Sequence, residues 1–382
     1  MSGSERAGAL LTVDLAALAA NYRLMRERAP GAEIAPALKA DAYGLGAAAV
    51  APVLWREGAR TFFVATLEEG VGLRALLPEA AIYVLSGPIG AGAGAGVGAE
   101  YRAYRLRPVL NCLDQVAAWE AEPAAAGLPL ALHVDSGLHR LGLPAAEVAA
   151  LAADPARLAR LAPALAMSHF ACADDPASPM SDEQLAAFLA AVERLWPAGR
   201  PRPARSLAAS SGLFRDARFH LEMVRPGGSL YGLAPLAGRP NPLAQVVRLQ
   251  ARILQIREID SNRSVGYGAT HRFAERGRLA TVGAGYADGY LRSLSNRGFA
   301  MLGAHRLPVV GRVSMDLLTL DISAVPPETL RPGDLVDLIG PGNDVDAVSA
   351  AAGTVGWELL TRLGPRLARR YVGDAAGRPA AA

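Results

Sequence analysis

The segment IAPALKADAYGLG, residues 34–46, opens the pattern from which the fold is read. An apolar run, Ile34–Leu38, ends on Lys39, and glycines at 44 and 46 break the chain before the next helical stretch. Seven further apolar or β-branched runs follow: Phe62–Thr66, Ile82–Leu85, Arg107–Leu110, Leu130–Val134, Leu165–Ser168, Ser206–Ala209 and Leu221–Val224. Between them apolar residues recur at spacings of three and four, the period of amphipathic helices. Another helix precedes the first run, with Asp14 as its cap and Leu15, Leu18, Tyr22 and Met25 on one face. Eight βα units between residues 33 and 225 predict an α/β fold with a TIM-like (β/α)8 barrel at the N-terminus. A doubly wound sheet would gather its ligand signals at one switch point, whereas here they follow many strands.

The regular pattern stops at GLAPLAGRPNP, Gly232–Pro242, where three prolines and two glycines interrupt any element. Residues 1–240 are therefore read as the barrel and 241–382 as a second domain. Val246–Ile259, Leu279–Ala287, Met301–Leu320 and Asp334–Ile339 carry strand-like patterns, so that C-terminal domain is expected to be mostly β. The tail after Tyr371 is expected to fray. The glycine-rich segment Gly87–Glu100 matches a loose nucleotide-loop fingerprint, but alternating Gly and Ala produce such matches by chance, and no helix of normal propensity begins within it. It is read as a flexible βα loop.

Composition narrows the function. The chain has 382 residues, about half of them apolar, with 39 basic and 36 acidic residues and a net charge of +3. The basic residues are scattered, which argues against a nucleic-acid surface. No uninterrupted apolar run of about 18 residues exists, so no membrane span is expected. The start MSGSERAGALLTVD lacks the features of a secretory signal, and a cytoplasmic location is expected. Two cysteines, Cys112 and Cys172, cannot build a disulfide framework or a Cys-based zinc site.

Lys39 is the only lysine; the other 38 basic residues are arginine. A lysine amine can lose its proton and attack a carbonyl, which a guanidinium with a pKa above about 12 cannot. At the carboxyl end of a barrel strand it would point into the mouth of the barrel rather than lie on the surface.

With Lys39 set in PALKADAYGLG, the sequence resembles the alanine racemase family, pyridoxal-phosphate enzymes with a TIM-like barrel followed by a β domain. The resemblance spans nearly the whole chain. It makes Lys39 the Schiff-base lysine and Tyr43 a donor to the cofactor phosphate. In SVGYGATH, 264–271, it makes Tyr267 the second catalytic base, which in the family reaches the cofactor of a neighbouring subunit and so implies a homodimer with shared active sites. Taken by itself, a tyrosine between two glycines is only a turn with an exposed phenol.

Further motifs extend the match. VDSGLHRLG, 134–142, places Arg140 near the cofactor and the substrate carboxylate, and SHFAC, 168–172, places His169 against the pyridine ring. LAASSG, 207–212, supplies Ser210, and VRPGGSLYG, 224–232, supplies Arg225, Gly227 and Gly228. Phosphate binding after strands seven and eight is also the general habit of such barrels. Arg225 would face the pyridine nitrogen, and a permanently charged guanidinium would leave that nitrogen unprotonated. GYADGY, 285–290, puts Tyr286 at the entrance, and GRVSMD, 311–316, makes the backbone of Met315 a contact for substrate carboxylate.

The implied reaction is the interconversion of L- and D-alanine. Lys39 would act on the α-hydrogen of D-alanine and Tyr267 on that of L-alanine, because one base cannot easily serve both faces. Amines and phenols have solution pKa values near 10, so nearby cations must assist. Four positions depart from the family pattern: His133 replaces a lysine that orients the arginine, Trp357 a tyrosine, Ala209 an asparagine and Ser314 a cysteine. Substrate breadth and a biosynthetic or catabolic role stay open. Competing readings are a broad-specificity racemase and a non-catalytic pyridoxal-phosphate barrel. A zinc hydrolase is weaker, since the six histidines form no HExxH pair.

Overall fold

The computed structural model describes residues 6–89 and 97–373. Strand β1, Ala9–Asp14, leads directly into a helix, Leu15–Arg28, because the Asp14 carboxylate accepts from Ala16 N and Ala17 N, each at 2.9 Å. Leu15, Leu18, Tyr22 and Met25 are buried on one face of this helix, as the spacing predicts.

The eight predicted barrel strands are all present. They are β2 (Glu33–Ile34), β3 (Thr61–Val64), β4 (Ala81–Val84), β5 (Leu106–Leu110), β6 (Ala131–His133), β7 (Leu165–Met167), β8 (Ala204–Ser206) and β9 (Met223–Val224). From β3 to β8 they pair in parallel and in order, and β2 pairs in parallel with β9. Parallel bridges Ala37↔Phe63 and Ala209↔Arg225 close the ring. Such strands are buried on both faces, hence the continuous apolar runs: TFFV of β3 has no exposed position. Burying a Phe or Leu side chain contributes about 2–3 kcal/mol, and this interior supplies many.

The second domain is built on β10 (Val247–Ile259), a long strand that bends between two sheets. It pairs antiparallel with β1, with β13 (Gly277–Val282) and with β17 (Leu335–Ile339). Between β10 and β13 lies the small hairpin β11 (Ser264–Val265) and β12 (His271–Arg272). Strands β14 (Phe299–Leu302), β15 (His305–Pro308) and β16 (Leu318–Asp321) extend the sheets. The last strand, β18 (Ala368–Val372), pairs in parallel with β1. The first strand of the chain therefore lies in the C-terminal sheet, although it precedes the barrel in sequence.

One continuous apolar core runs through both parts, and a satellite cluster of Val265, Phe273, Leu279 and Val310 sits under the β11–β12 hairpin. In the glycine-rich segment, residues 90–96 lie outside the described residues, while a helix does begin within it, at Val97. Of the tail expected to fray after Tyr371, Val372 instead ends strand β18, and residues 374–382 lie outside the described residues. Among the described residues no helix is long and apolar enough to cross a membrane.

Candidate active site

Beyond β2 the chain does something no propensity predicts. Ala40, Asp41, Ala42 and Tyr43 all have φ between 52° and 58°, one turn of left-handed helix without a glycine. This costs about 1–2 kcal/mol per residue. The turn lifts Lys39 to the barrel rim and folds Tyr43 inward, where its ring centroid lies 5.0 Å from that of Tyr231. Contacts hold the strained backbone along its length. Ala40 N donates to Glu69 Oε1 at 2.7 Å, Ala47 N to Asp41 Oδ1 at 2.7 Å, Arg369 to Gly44 O at 3.1 Å and Tyr371 Oη to Leu45 O at 3.0 Å. Gly44 is required because a Cβ there would lie 2.6 Å from Leu360 O.

A cavity of about 550 Å³ opens at the carboxyl ends of the barrel strands. Lys39, Tyr43, Arg140, His169, Ser210, Arg225, Gly227 and Gly228, all singled out in the sequence, line it. A larger cavity of about 880 Å³ lies at the opposite, amino end, around Trp119, Glu120, Arg157 and Leu161. It contains none of those residues, and barrel chemistry belongs to the carboxyl face.

Ser210 Oγ accepts from Gly227 N at 3.0 Å and Ser229 N at 3.2 Å. A Cβ on Gly227 would overlap the Tyr43 hydroxyl, and one on Gly228 would lie 2.9 Å from Trp357 Nε1. Hydroxyls, amides and an indole N–H thus converge where side-chain atoms are absent, a donor-lined cradle of the shape a phosphate needs. Trp357 reaches this cradle from the segment where the family pattern has tyrosine.

Arg225 is buried. It donates to Ser168 O at 2.5 Å and to the Ser206 hydroxyl, and lies 3.4 Å from His169 Nδ1. Burial pulls the guanidinium down to about 9, still well above neutrality, so it stays charged. His169 is held far below the ordinary histidine value by burial, then by Arg225, Arg140 and Lys39. His133 is pushed to about 4 by burial and Arg225, and its Nδ1 lies 2.8 Å from Asn111 Oδ1. Since Asn111 Nδ2 donates to Val109 O, its oxygen must accept, so the His133 proton sits on Nδ1. Burial lowers the Lys39 amine, Arg140 lowers it further, and Glu69 opposes them.

Arg140 sits on a loop closed by the Val134↔Leu143 bridge, with Asp135 Oδ1 accepting from the amides of Gly137, Leu138 and His139. No carboxylate pairs with Arg140 among the described residues. The only carboxylate lining the cavity, among the described residues, is Asp174.

Tyr267 and Met315 stand apart. Neither lines the Lys39 cavity; Tyr267 is 74% exposed and Met315 53% exposed. They share the outer surface with other exposed apolar side chains, Leu141, Tyr286, Leu317, Val355 and Trp357. Glu69, Asn111, Arg369 and Tyr371 were not found from the sequence. Of these only Glu69 carried a signal, the TLEE capping-box pattern at 66–69.

A closed parallel barrel with lysine, histidine and two arginines at its carboxyl mouth, followed by a β domain whose sheet takes in β1, defines a two-domain barrel enzyme. The match to known proteins is more specific. The N-terminal domain model of alanine racemase fits residues 13–235 and its C-terminal domain model residues 246–371. The chain belongs to the alanine racemase family. It is 49% identical over 377 residues to the alanine racemase of Rhodospirillum rubrum, covering 98% of each chain. Its fold matches the crystal structure of the Bartonella henselae alanine racemase with covalently bound pyridoxal phosphate at TM-score 0.88 and 35% identity, covering 96% of this chain and 100% of that one. It matches the biosynthetic alanine racemase of Pseudomonas aeruginosa at TM-score 0.87 and 37% identity, covering 96% and 99%.

Proposed function

We propose that the chain is an alanine racemase that uses pyridoxal 5'-phosphate, Lys39 and Tyr267 to interconvert L- and D-alanine. The observation that carries this is the sole lysine, raised on a strained turn into a cavity that also holds a donor-lined phosphate cradle. The residues present fit the cofactor. Tyr43, Ser210, Gly227, Gly228 and the Trp357 indole would hold its phosphate, and Arg225 and His169 would flank its ring. Held in this cradle and joined to the substrate amine in place of Lys39, the cofactor would withdraw electrons from the substrate α-carbon and acidify its hydrogen.

The protein's own residues supply the rest. Lys39, freed when substrate amine takes its place, acts as base on one face of the α-carbon, and its lowered pKa raises the fraction ready to accept a proton. Arg140 offers a cation to which no carboxylate is paired among the described residues, suited to the substrate carboxylate and the cofactor phenolate. Arg225 keeps positive charge beside a neutral His169, which denies the ring nitrogen a proton source.

The second face requires a base that this subunit does not bring to its own cavity. Tyr267 is exposed at a distance from Lys39, and the backbone N–H of Met315 has no hydrogen-bond partner among the described residues. We infer a homodimer in which each subunit lends Tyr267 and the Met315 amide to its neighbour's cavity. The exposed apolar residues around Tyr286 and Trp357 support that interface. The barrel, residues 1–240, and the β domain, 241–382, then divide the work, with β1 lent to the β domain.

A coupled assay for D-alanine formed from L-alanine by the purified protein tests this directly, with serine and arginine as competitors for breadth. Borohydride reduction with the cofactor should add one cofactor mass to the Lys39 peptide. A protein that forms no D-alanine when given the cofactor would refute the reading. Sedimentation across a dilution series tests the dimer; a monomer at full activity would refute it.

A further inference from the structure

We propose that Glu69 is a positioning residue for Lys39: its carboxylate ties the loop after β3 to the first peptide of the left-handed turn and so sets the direction in which the amine leaves the barrel rim. The proposal rests on the reading of Lys39 as cofactor carrier and base.

Glu69 Oε1 accepts from Ala40 N at 2.7 Å, the peptide immediately after Lys39. Its Oε2 accepts from Ala65 N at 2.7 Å and Thr66 N at 3.4 Å, while Thr66 Oγ1 accepts from Glu69 N at 3.4 Å. The carboxylate is therefore locked by its own capping box before it grips the turn. Ala40 lies at φ 52°, outside any ladder, and its N–H has no other acceptor among the described residues. An orphaned, strained peptide would relax, and Lys39 is the residue that would move.

Charge adds a second consequence. Among the described residues the charged groups acting on the Lys39 amine are Arg140 and Glu69, and His169 is held neutral. Glu69 is thus the carboxylate that offsets burial and Arg140. Removing its charge lowers the Lys39 pKa further; shortening its reach frees the turn while leaving a negative charge nearby.

The sole lysine makes the test clean. All samples are first freed of bound aldehyde with hydroxylamine. After reductive methylation with ¹³C-formaldehyde the full-length protein carries one ε-amine signal, which is titrated by NMR in wild type, Glu69→Gln and Glu69→Asp. Unmethylated samples are mixed with pyridoxal phosphate and capture is followed by absorbance. Glu69→Gln is expected to lower the titration midpoint and to slow capture about tenfold or more. Glu69→Asp is expected to titrate close to wild type yet also to slow capture. Wild-type titration and capture in both variants would overturn the proposal. Should circular dichroism show that Glu69→Gln does not fold, capture by Glu69→Asp decides alone, wild-type capture overturning it. Both readouts work without alanine. A chain that turns over no alanine but shows these shifts would refute the racemase reading and leave the role of Glu69 standing.

Discussion

Lys39 and Tyr267, the two proposed bases, are held in opposite ways. The backbone after Lys39 spends four residues in a left-handed conformation and is gripped by Glu69, Arg369 and Tyr371, from two different parts of the chain. Tyr267 also lies in a turn of positive φ, at Gly266, Gly268 and Ala269, but its side chain projects into solvent. Beneath it is only a four-residue satellite core. Strain next to Lys39 is outweighed within one subunit, so the amine is preorganised there. Tyr267 is largely exposed, and as a proposed base it would have to find its placement against another surface. On the proposed reading, the contrast leaves one active site nearly complete in a single chain and its second base to be supplied by another.

The comparison breaks most visibly at Lys39. Lys39→Ala should reduce racemisation by at least about 10⁴-fold, since no other primary side-chain amine exists to carry the aldehyde or the proton. Its thermal midpoint should not fall, because the lost amine was desolvated. Racemisation surviving within tenfold of wild type would end the assignment. Tyr267→Phe should be more selective. It is expected to bind cofactor normally and to keep its folding stability within about 0.5 kcal/mol, as befits an exposed side chain. Exchange of the α-hydrogen of L-alanine with solvent deuterium should slow about 10²–10⁴-fold, and that of D-alanine less. Equal slowing in both directions would show that the two residues do not serve opposite faces.

How much of this was legible in the sequence follows from what kind of force places each residue. The eight barrel strands could be read because parallel strands buried on both faces must be apolar throughout, and the Asp14 cap because its hydrogen bonds are local. β1 was not read as a strand, since its partners in β10 and β18 lie over 230 residues away. Nor could the left-handed turn be read from Ala-Asp-Ala-Tyr, residues with no preference for positive φ. Tertiary clasps decide it, and they are invisible to periodicity. Similarly, the sequence shows His133 where the family pattern has the lysine that orients the arginine, but its neutrality depends on burial and on Arg225, and its tautomer on Asn111, 22 positions earlier. The site residues came from motif resemblance, whereas the residues that orient them, Glu69 and Tyr371, needed coordinates.

The barrel mouth should also differ from the Tyr267 surface in its response to acid. A folded-state pKa of about 4 for His133 lies below the usual value near 6.5, so between those pH values the unfolded chain takes up a proton that the folded chain refuses. Stability is therefore complete above about 6.5 and declines as pH falls toward 4. At about 1.4 kcal/mol per unit, His133 alone accounts for about 2 kcal/mol between pH 7 and pH 5. His169 acts in the same direction. Urea unfolding at the two pH values should show this loss, and His133→Asn should make it distinctly smaller. An unchanged slope would mean that His133 is solvated and that the cavity floor is not the sealed surface described.

The smallest effect probes whether the clasp is shared. Tyr371 Oη donates to Leu45 O at 3.0 Å, and Gly46 has no side chain because that hydroxyl lies where its Cβ would be. β18 therefore grips the far end of the turn while Glu69 grips its start. Tyr371→Phe removes one half-buried hydrogen bond and keeps the ring, a loss of about 1 kcal/mol in unfolding free energy. If strain in the turn is opposed at several independent points, racemisation should fall less than tenfold and the Lys39 ε-amine should titrate as in wild type, because no charge near it has changed. A loss approaching that of Lys39→Ala would show instead that the turn collapses when one clasp is released. Lys39 would then be as dependent on a distant surface as Tyr267, and the two bases would differ only in whether that surface belongs to the same chain.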